Sequence, residues 1–369
     1  MKILTTVLAP SLAFLLASPF SASAQSASIQ GFGQFGTGTF SSGRAISDNG
    51  SVVAGTAGID AGGAFSPILW TGNSAALVPG LSGNGGFNAL NGDGTAATGS
   101  GRIDDSGSQT FLWTSLGGFQ PTPLANALGI SSDGTTIVGE AFPSGPGLGG
   151  RAASWSVAGG INIFGPGNSF AYDANSNGTI AVGHSGEIAS LWDLSGAPSQ
   201  TPLGTLAGDN TSQAESVSAD GTVVVGWSRN EATSSSRAFR WTFETGMTDL
   251  GRLNEDDTST FAGFVSSNAQ YILGGSFGGD GLTGFIWTEL AGMTSVESYL
   301  LAGGVDLTDW SGIFASGITD DGRYLTGQGT YQGLEQGFVA EVVPEPSTYA
   351  LLALAAAGLG THVLRRRRK

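Results

Sequence analysis

The chain has 369 residues, 62 of them Gly and none of them Cys, with a formal net charge of −15. The lack of Cys excludes disulfides, thiolate metal sites and Cys nucleophiles. Between Ser26 and Val343 lie eight Arg, no Lys and 28 acidic residues, so this body carries about −20 and repels nucleic-acid phosphates and anionic lipid alike.

At the N-terminus, Met1-Lys2 is a short basic start and Ile3 to Phe20 is mostly apolar. Ala22-Ser23-Ala24 then satisfies the small-x-small rule for signal peptidase. Residues 1–24 therefore read as a secretory signal peptide cleaved after Ala24.

The body repeats itself. A small residue and an apolar-Ser pair lead into an Asp/Asn-Gly turn, a β-branched run and a Gly. The clearest copy is Val217-Ser218-Ala219-Asp220-Gly221-Thr222-Val223-Val224-Val225-Gly226. Others run from Ala45 to Gly55, Leu90 to Gly99, Ile130 to Gly139, Ala174 to Gly183, Phe264 to Gly274 and Ile318 to Gly327, making seven. A second element ends in Trp70, Trp113, Trp155, Trp192, Trp241 and Trp287, at spacings of 43, 42, 37, 49 and 46. The seventh copy has Gly337-Phe338-Val339-Ala340 there instead.

Asp-Gly between apolar runs signals a hairpin. The Trp run supplies a third strand, and a segment such as Met247 to Leu253 a fourth. One hairpin cannot bury its own face, so repeats must stack, and four strands per period of about 45 residues is a propeller blade. The predicted fold is all-β, a closed seven-bladed β-propeller spanning residues 28–342. The last repeat runs out after three strands. Phe32-Gly33-Gln34-Phe35 matches Leu250-Gly251-Arg252-Leu253, so an N-terminal strand is expected to complete the last blade and remove the open edge.

Ala238-Phe239-Arg240-Trp241, with the hairpins Val217 to Gly226 and Ile318 to Gly327, resembles the HAF repeat of exported bacterial proteins. The resemblance covers most of Phe32 to Ala340. It implies export and supports the fold, and it carries no established chemistry.

Candidate sites are sparse. Asp173-Ala174-Asn175-Ser176-Asn177-Gly178 fits the first half of an EF-hand loop, which makes Asp173, Asn175 and Asn177 candidate calcium ligands. Position twelve of that loop is His184 rather than the bidentate Glu it needs. Acid clusters at Asp104-Asp105, Glu255-Asp256-Asp257 and Asp320-Asp321 could gather a hard cation at a propeller mouth, or could simply be solvated turns. His184 is the only His of the body. It follows the repeat Gly, where other copies carry Trp227, Glu140 or Gln328, so it reads as a variable loop position rather than a triad member. The repeated Trp residues read as packing between sheets rather than as a sugar platform. The Gly-rich Pro143 to Gly150 lacks the Lys-Ser/Thr of a phosphate loop. No catalytic residue is assigned.

At the C-terminus, Pro344-Glu345-Pro346 precedes an apolar stretch from Tyr349 to Leu364 and then Arg365, Arg366, Arg367, Arg368 and Lys369. The apolar stretch is marginal for a bilayer about 30 Å thick, and the basic cluster would stay on the cytoplasmic side. This three-part end, residues 343–369, resembles the PEP-CTERM sorting signal. The resemblance implies an exosortase partner, transient anchoring in the inner membrane through the C-terminal helix, cleavage near Pro344-Glu345-Pro346, and release to the cell surface or matrix.

The expected function is an exported, non-enzymatic surface or matrix protein contacting exopolysaccharide or envelope components, with calcium as a possible aid. Two alternatives stand. One is a propeller enzyme acting on polysaccharide through paired carboxylates, which a deep channel lined by two acids, an Arg and a Tyr would favour. The other is a protein-docking module, which an exposed apolar patch would signal.

Overall fold

A computed structural model of the chain describes residues 26–104, 107–143, 149–279 and 281–343. The signal-peptide residues with Ala22 and Ala24, the sorting residues Pro344, Glu345, Pro346 and Arg365 to Arg368, and Asp105 lie outside the described residues.

Seven four-stranded antiparallel sheets form, each consecutive in sequence except the last. The first strands of the blades are Ser41–Ile46, Gly85–Leu90, Asn126–Ile130, Ser169–Ala174, Thr211–Val217, Ser259–Val265 and Trp310–Ile318. They touch one another around a central channel, so the first strand of every blade is innermost. In the seventh blade, strand Ser28–Gly31 pairs antiparallel with Leu334–Glu341 and supplies the outer position. The expected closure thus forms. The strand precedes Phe32-Gly33, which corresponds to Leu250-Gly251 just past the outer strand of blade five, Gly246–Asp249. The backbone N–H groups of Phe32 and Leu250 make the same bond, to the carbonyls of Gly337 and Ala238 on their third strands.

The repeat hairpin has a fixed anatomy. In blade five, Gly221 N–H donates to the Ser218 carbonyl at 2.9 Å, and Gly221 has φ +77° while Asp220 is not left-handed. The connection is therefore a turn followed by a left-handed residue, not the two-residue Asn-Gly or Asp-Gly type in which both central residues have positive φ. The Ser218 hydroxyl accepts from Val223 N–H at 3.0 Å and donates to Asp220 Oδ1 at 2.6 Å. Ser47, Asn91, Ser131, Asn175, Ser266 and Thr319 accept from the corresponding N–H in the other blades.

Every first strand also carries an extra residue opposite its second strand, a β-bulge at the same place in each blade, and the first strand of blade seven carries a second one. The bulge pushes a first-strand carbonyl toward the repeat Gly of the second strand. A Cβ at Gly226 would lie 2.0 Å from the Gln213 oxygen, and the equivalent glycines meet the same backbone atom at 1.8–2.1 Å. The Gly that ends each motif is thus required by close approach.

The core lies between blades and is built from the Trp element. Trp70, Trp113, Trp155, Trp192 and Trp241 are buried, as a packing role requires. One element had no counterpart in the repeat: a helix, Val296–Ala302, capped by Ser295 and burying Val296 and Leu300 between blades six and seven.

Candidate functional site at the channel rim

The channel encloses about 410 Å³ and is lined from all seven first strands. Its two ends differ. At the hairpin end the turns are stitched blade to blade: Asp48 N–H donates to the Gly92 carbonyl, Gly92 to Ser132, Asp133 to Ser176, Ser176 to Ala219 and Ala219 to Ser267. Ser267 closes the circuit by donating its hydroxyl to Asp48 at 3.2 Å, and Asp320 accepts from Asn268 N–H at 2.9 Å. Burial, with the Asp320 and Asp93 charges behind it, pushes the Asp48 carboxyl above its ordinary range. Asp321 belongs to the local turn of blade seven, accepting from Thr319 and Arg323.

The bulge turns one residue per blade toward the channel: Arg44, Asn88, Leu128, Tyr172, Glu215, Gly263 and Ser316. Two residues earlier in each strand lies a rim position paired with the residue after the repeat Gly. These pairs are Ser42 with Thr56, Gly86 with Ser100, Asn126 with Glu140, Phe170 with His184, Gln213 with Trp227, Phe261 with Gly275, and Phe314 with Gln328. His184 is therefore a strand residue at the rim, not a loop residue, because the second strand of blade four continues to Ser185.

Blades three to five concentrate the chemistry. Gln213 Nε2 and Trp227 Nε1 donate to the same oxygen of Glu215, at 2.7 and 2.9 Å. Burial nevertheless raises the Glu215 carboxyl above its usual range, against those two hydrogen bonds. Asn126 Nδ2 donates to Glu140 Oε2 at 2.5 Å, and burial raises Glu140 as well. Tyr172 is pushed up to about 12, by burial first and then by the charges of Glu215 and Glu140 on its two sides. Phe170 and Tyr172 stack at 6.2 Å, and His184 lies 5.0 Å from Phe170. Burial lowers the His184 pKa, and its Nδ1 is buried without a partner.

Asp173 sits beside this crescent but turns into the wall. Its Oδ2 accepts from the Ser216 hydroxyl at 2.8 Å and Val217 N–H at 3.0 Å in blade five, and Oδ1 accepts from Ala174 N–H. Burial raises it to about 6. Of the three calcium candidates, Asn175 and Asn177 meet through Thr179 in their own turn, while Asp173 reaches across to blade five. Asp257 is buried and bonded to Asn254 and Ser276. Among the described residues no group of three or more His, Cys, Asp or Glu could hold a metal ion.

The rim was missed in the sequence, yet it left a signal. The residue before the small position and the residue after the Gly are places where the copies disagree in chemistry inside a repeated frame.

These features describe a closed seven-bladed propeller with one channel end ringed by hydrogen-bonded turns and one chemically varied rim. The PEP-CTERM protein-sorting motif matches residues 342–369, which marks the protein as an exported substrate of exosortase processing with a transient membrane-anchored state. No curated protein matches the chain. Among solved structures it is similar to an oligogalacturonate lyase from Vibrio parahaemolyticus, with TM-score 0.57 and 10% identity over 87% of this chain and 98% of that one. The propeller domain of the Trilobed protease from Pyrococcus furiosus gives TM-score 0.57 and 11% identity over 82% and 95%. An oligogalacturonate lyase in complex with manganese gives 0.55 and 13% over 84% and 91%. At such identities the likeness concerns the fold alone. The Pyrococcus domain is described as an open velcro, whereas here strand Ser28–Gly31 closes the ring.

Proposed function

We propose that this is a cell-surface or matrix protein whose propeller holds a segment of exopolysaccharide at the channel rim without reacting with it. The observation that carries this reading is the crescent of Phe170, Tyr172, His184, Glu215 and Trp227, with Glu140 buried behind it. Aromatic faces stack on the apolar faces of pyranose rings, and fixed carboxylates and carboxamides orient hydroxyls. The negative body disfavours a polyanion, so the glycan in this reading is largely neutral. Signal peptidase removes residues 1–24 and exosortase cuts near Pro344-Glu345-Pro346. The resemblance of the hairpins to HAF-type extracellular repeats fits the same destination. Ser28 and Glu341, strand residues near the two ends of the described body, lie beside the hairpin turn Asn49-Gly50. A tether through the C-terminus would thus leave the rim facing away from the membrane.

A second reading has its own observation. Arg44, Tyr172, Asp173 and Glu215 share the channel, and two acids, an Arg and a Tyr are what a carboxylate-pair enzyme would need. Binding is preferred because both Asp173 oxygens are held by the wall. Third, partner docking finds exposed Leu116, Val157, Phe243 and Leu290 at the tips of separate blades.

The test is a glycan-array and matrix-pulldown screen of residues 25–343, with and without calcium. Selective binding lost in Glu215→Gln and Trp227→Ala supports the rim. Slow loss of polysaccharide, abolished in Glu215→Gln, moves the enzyme reading first. Binding that a chelator abolishes brings Asp173, Asn175 and Asn177 into the site. Silence on every array removes the glycan reading.

A further inference from the structure

A second cavity, of about 600 Å³, opens between blades five and six. It falls within the range of about 300–1,000 Å³ typical of ligand sites. One wall is Trp227 and Arg229 on the second strand of blade five. The other is Ser259 and Phe261 on the first strand of blade six, with Phe277 behind them. Phe277 is 41% exposed although it lies 6.1 Å from Phe261. Arg229 is exposed and makes no side-chain hydrogen bond or ion pair among the described residues, in a body with only eight Arg.

The cleft and the channel share two lining residues, Glu215 and Gly263. Gly263 is the bulge residue of blade six, where every other blade puts a side chain into the channel. A Cβ there would meet nothing nearer than 3.9 Å, an atom of Phe261. The space is open, and the missing side chain leaves a doorway.

We propose that Gly263 joins channel and cleft into one elongated site for a linear glycan. The end unit lies at Glu215, and the following units pass over Gly263 along Trp227 and Phe277 toward Arg229. This deepens the rim reading and rests on it. Aromatic walls take ring faces, Ser259 and Arg229 offer donors to hydroxyls, and Arg229 would pair with a carboxylate on an outer unit.

The probe is a size series of α- and β-linked gluco-oligosaccharides, one to six units long, each in a neutral and a C6-oxidised uronate form. The decisive variant is Gly263→Leu, which places in blade six the side chain that Leu128 already places in blade three. It should fold, because Gly263 is not left-handed. In the wild type, affinity should rise about three- to tenfold for each of the first few added units, the worth of one aromatic stacking contact. In Gly263→Leu the rise with added units should vanish. Phe277→Ala should blunt the rise, and Arg229→Gln should erase any preference for the uronate series. A rise that survives Gly263→Leu overturns the doorway while Glu215→Gln still shows the rim to be the site. Silence of the wild type across both series removes the rim reading and the doorway with it.

Discussion

The two ends of the channel are made from the same seven strands and obey different rules. At the hairpin end every blade does the same thing: a buried Ser, Asn or Thr caps the next strand and a left-handed residue turns the chain. Backbone bonds tie turn to turn from blade one to blade six, and Asp320 ties blade seven to blade six through its side chain. At the rim no two neighbouring blades agree. Just inside it the bulge positions run Arg44, Asn88, Leu128, Tyr172, Glu215, Gly263 and Ser316. Repetition builds a closed ring, and the freedom to vary is confined to side chains that the ring does not need. Perturbing the frame should therefore cost stability, and perturbing the rim should cost binding alone.

The frame is broken most severely at its closest approach. Gly226→Val would drive a Cβ to within 2.0 Å of the Gln213 carbonyl. Backbone cannot give way as a flexible side chain does, so a loss of about 3 kcal/mol or more is expected, read as a lowered urea midpoint. Ring closure is next. Phe32 is buried and stacks on Trp70 at 5.3 Å, so Phe32→Ala should cost about 3 kcal/mol. If the domain were held by local contacts alone, blade one and blade seven would be unaffected. Protection of their amides in hydrogen exchange should instead fall together. Ser218→Ala then leaves Val223 N–H buried without its partner, for about 2 kcal/mol in a thermal melt.

Most of the frame was legible in the sequence. The seven copies, the strand order, the Trp packing and the N-terminal closure follow from periodicity and from the segment around Phe32 that matches Leu250. The turn itself was not, because Asp220-Gly221 looks like a two-residue turn until the Ser218 cap shows that Asp220 serves as an acceptor. The helix at Val296–Ala302 was also hidden, since seven residues inside a loop carry no repeat signal. The rim was hidden for a different reason. Tyr172 and Glu215 are 43 residues apart, and only the bulge and the ring closure bring them to one opening. His184 looked like a loop residue because its variability resembled that of a loop.

Asp173 lies where frame and rim meet. Other blades put Ala45, Ala89, Gly129, Ser216, Phe264 or Gly317 at this position. Its carboxyl rises from 3.8 to about 6 because burial outweighs three hydrogen bonds. A folded-state pKa above the unfolded value means that the folded protein binds the proton more tightly. The contribution of Asp173 to stability is fully present below about pH 4 and is lost as pH rises through about 6. Asp173→Asn should remove that slope. At pH 7 the gain should be only about 1 kcal/mol, because Asn gives up an acceptor to Ser216 or Val217. Parallel pH profiles of the two proteins between pH 4 and 7 would refute this placement of Asp173.

The smallest expected change goes the other way. In six blades the left-handed turn residue is Gly, at φ between +68° and +78°, and in blade six it is Ala269 at φ +60°. Ala pays sterically for that conformation, by about 1 kcal/mol relative to Gly. The turn keeps its shape nonetheless, because Ser266 still caps Tyr271 and Asn268 still supplies the side-chain acceptor. Ala269→Gly should therefore raise stability by about 1 kcal/mol, less what the more flexible unfolded chain takes back. Its effect should be confined to the hairpin end, leaving the rim and any ligand affinity unchanged. A rise in stability accompanied by altered binding would mean that the two ends of the channel are mechanically coupled, and the separation between a repeated frame and a freely varied rim would fail.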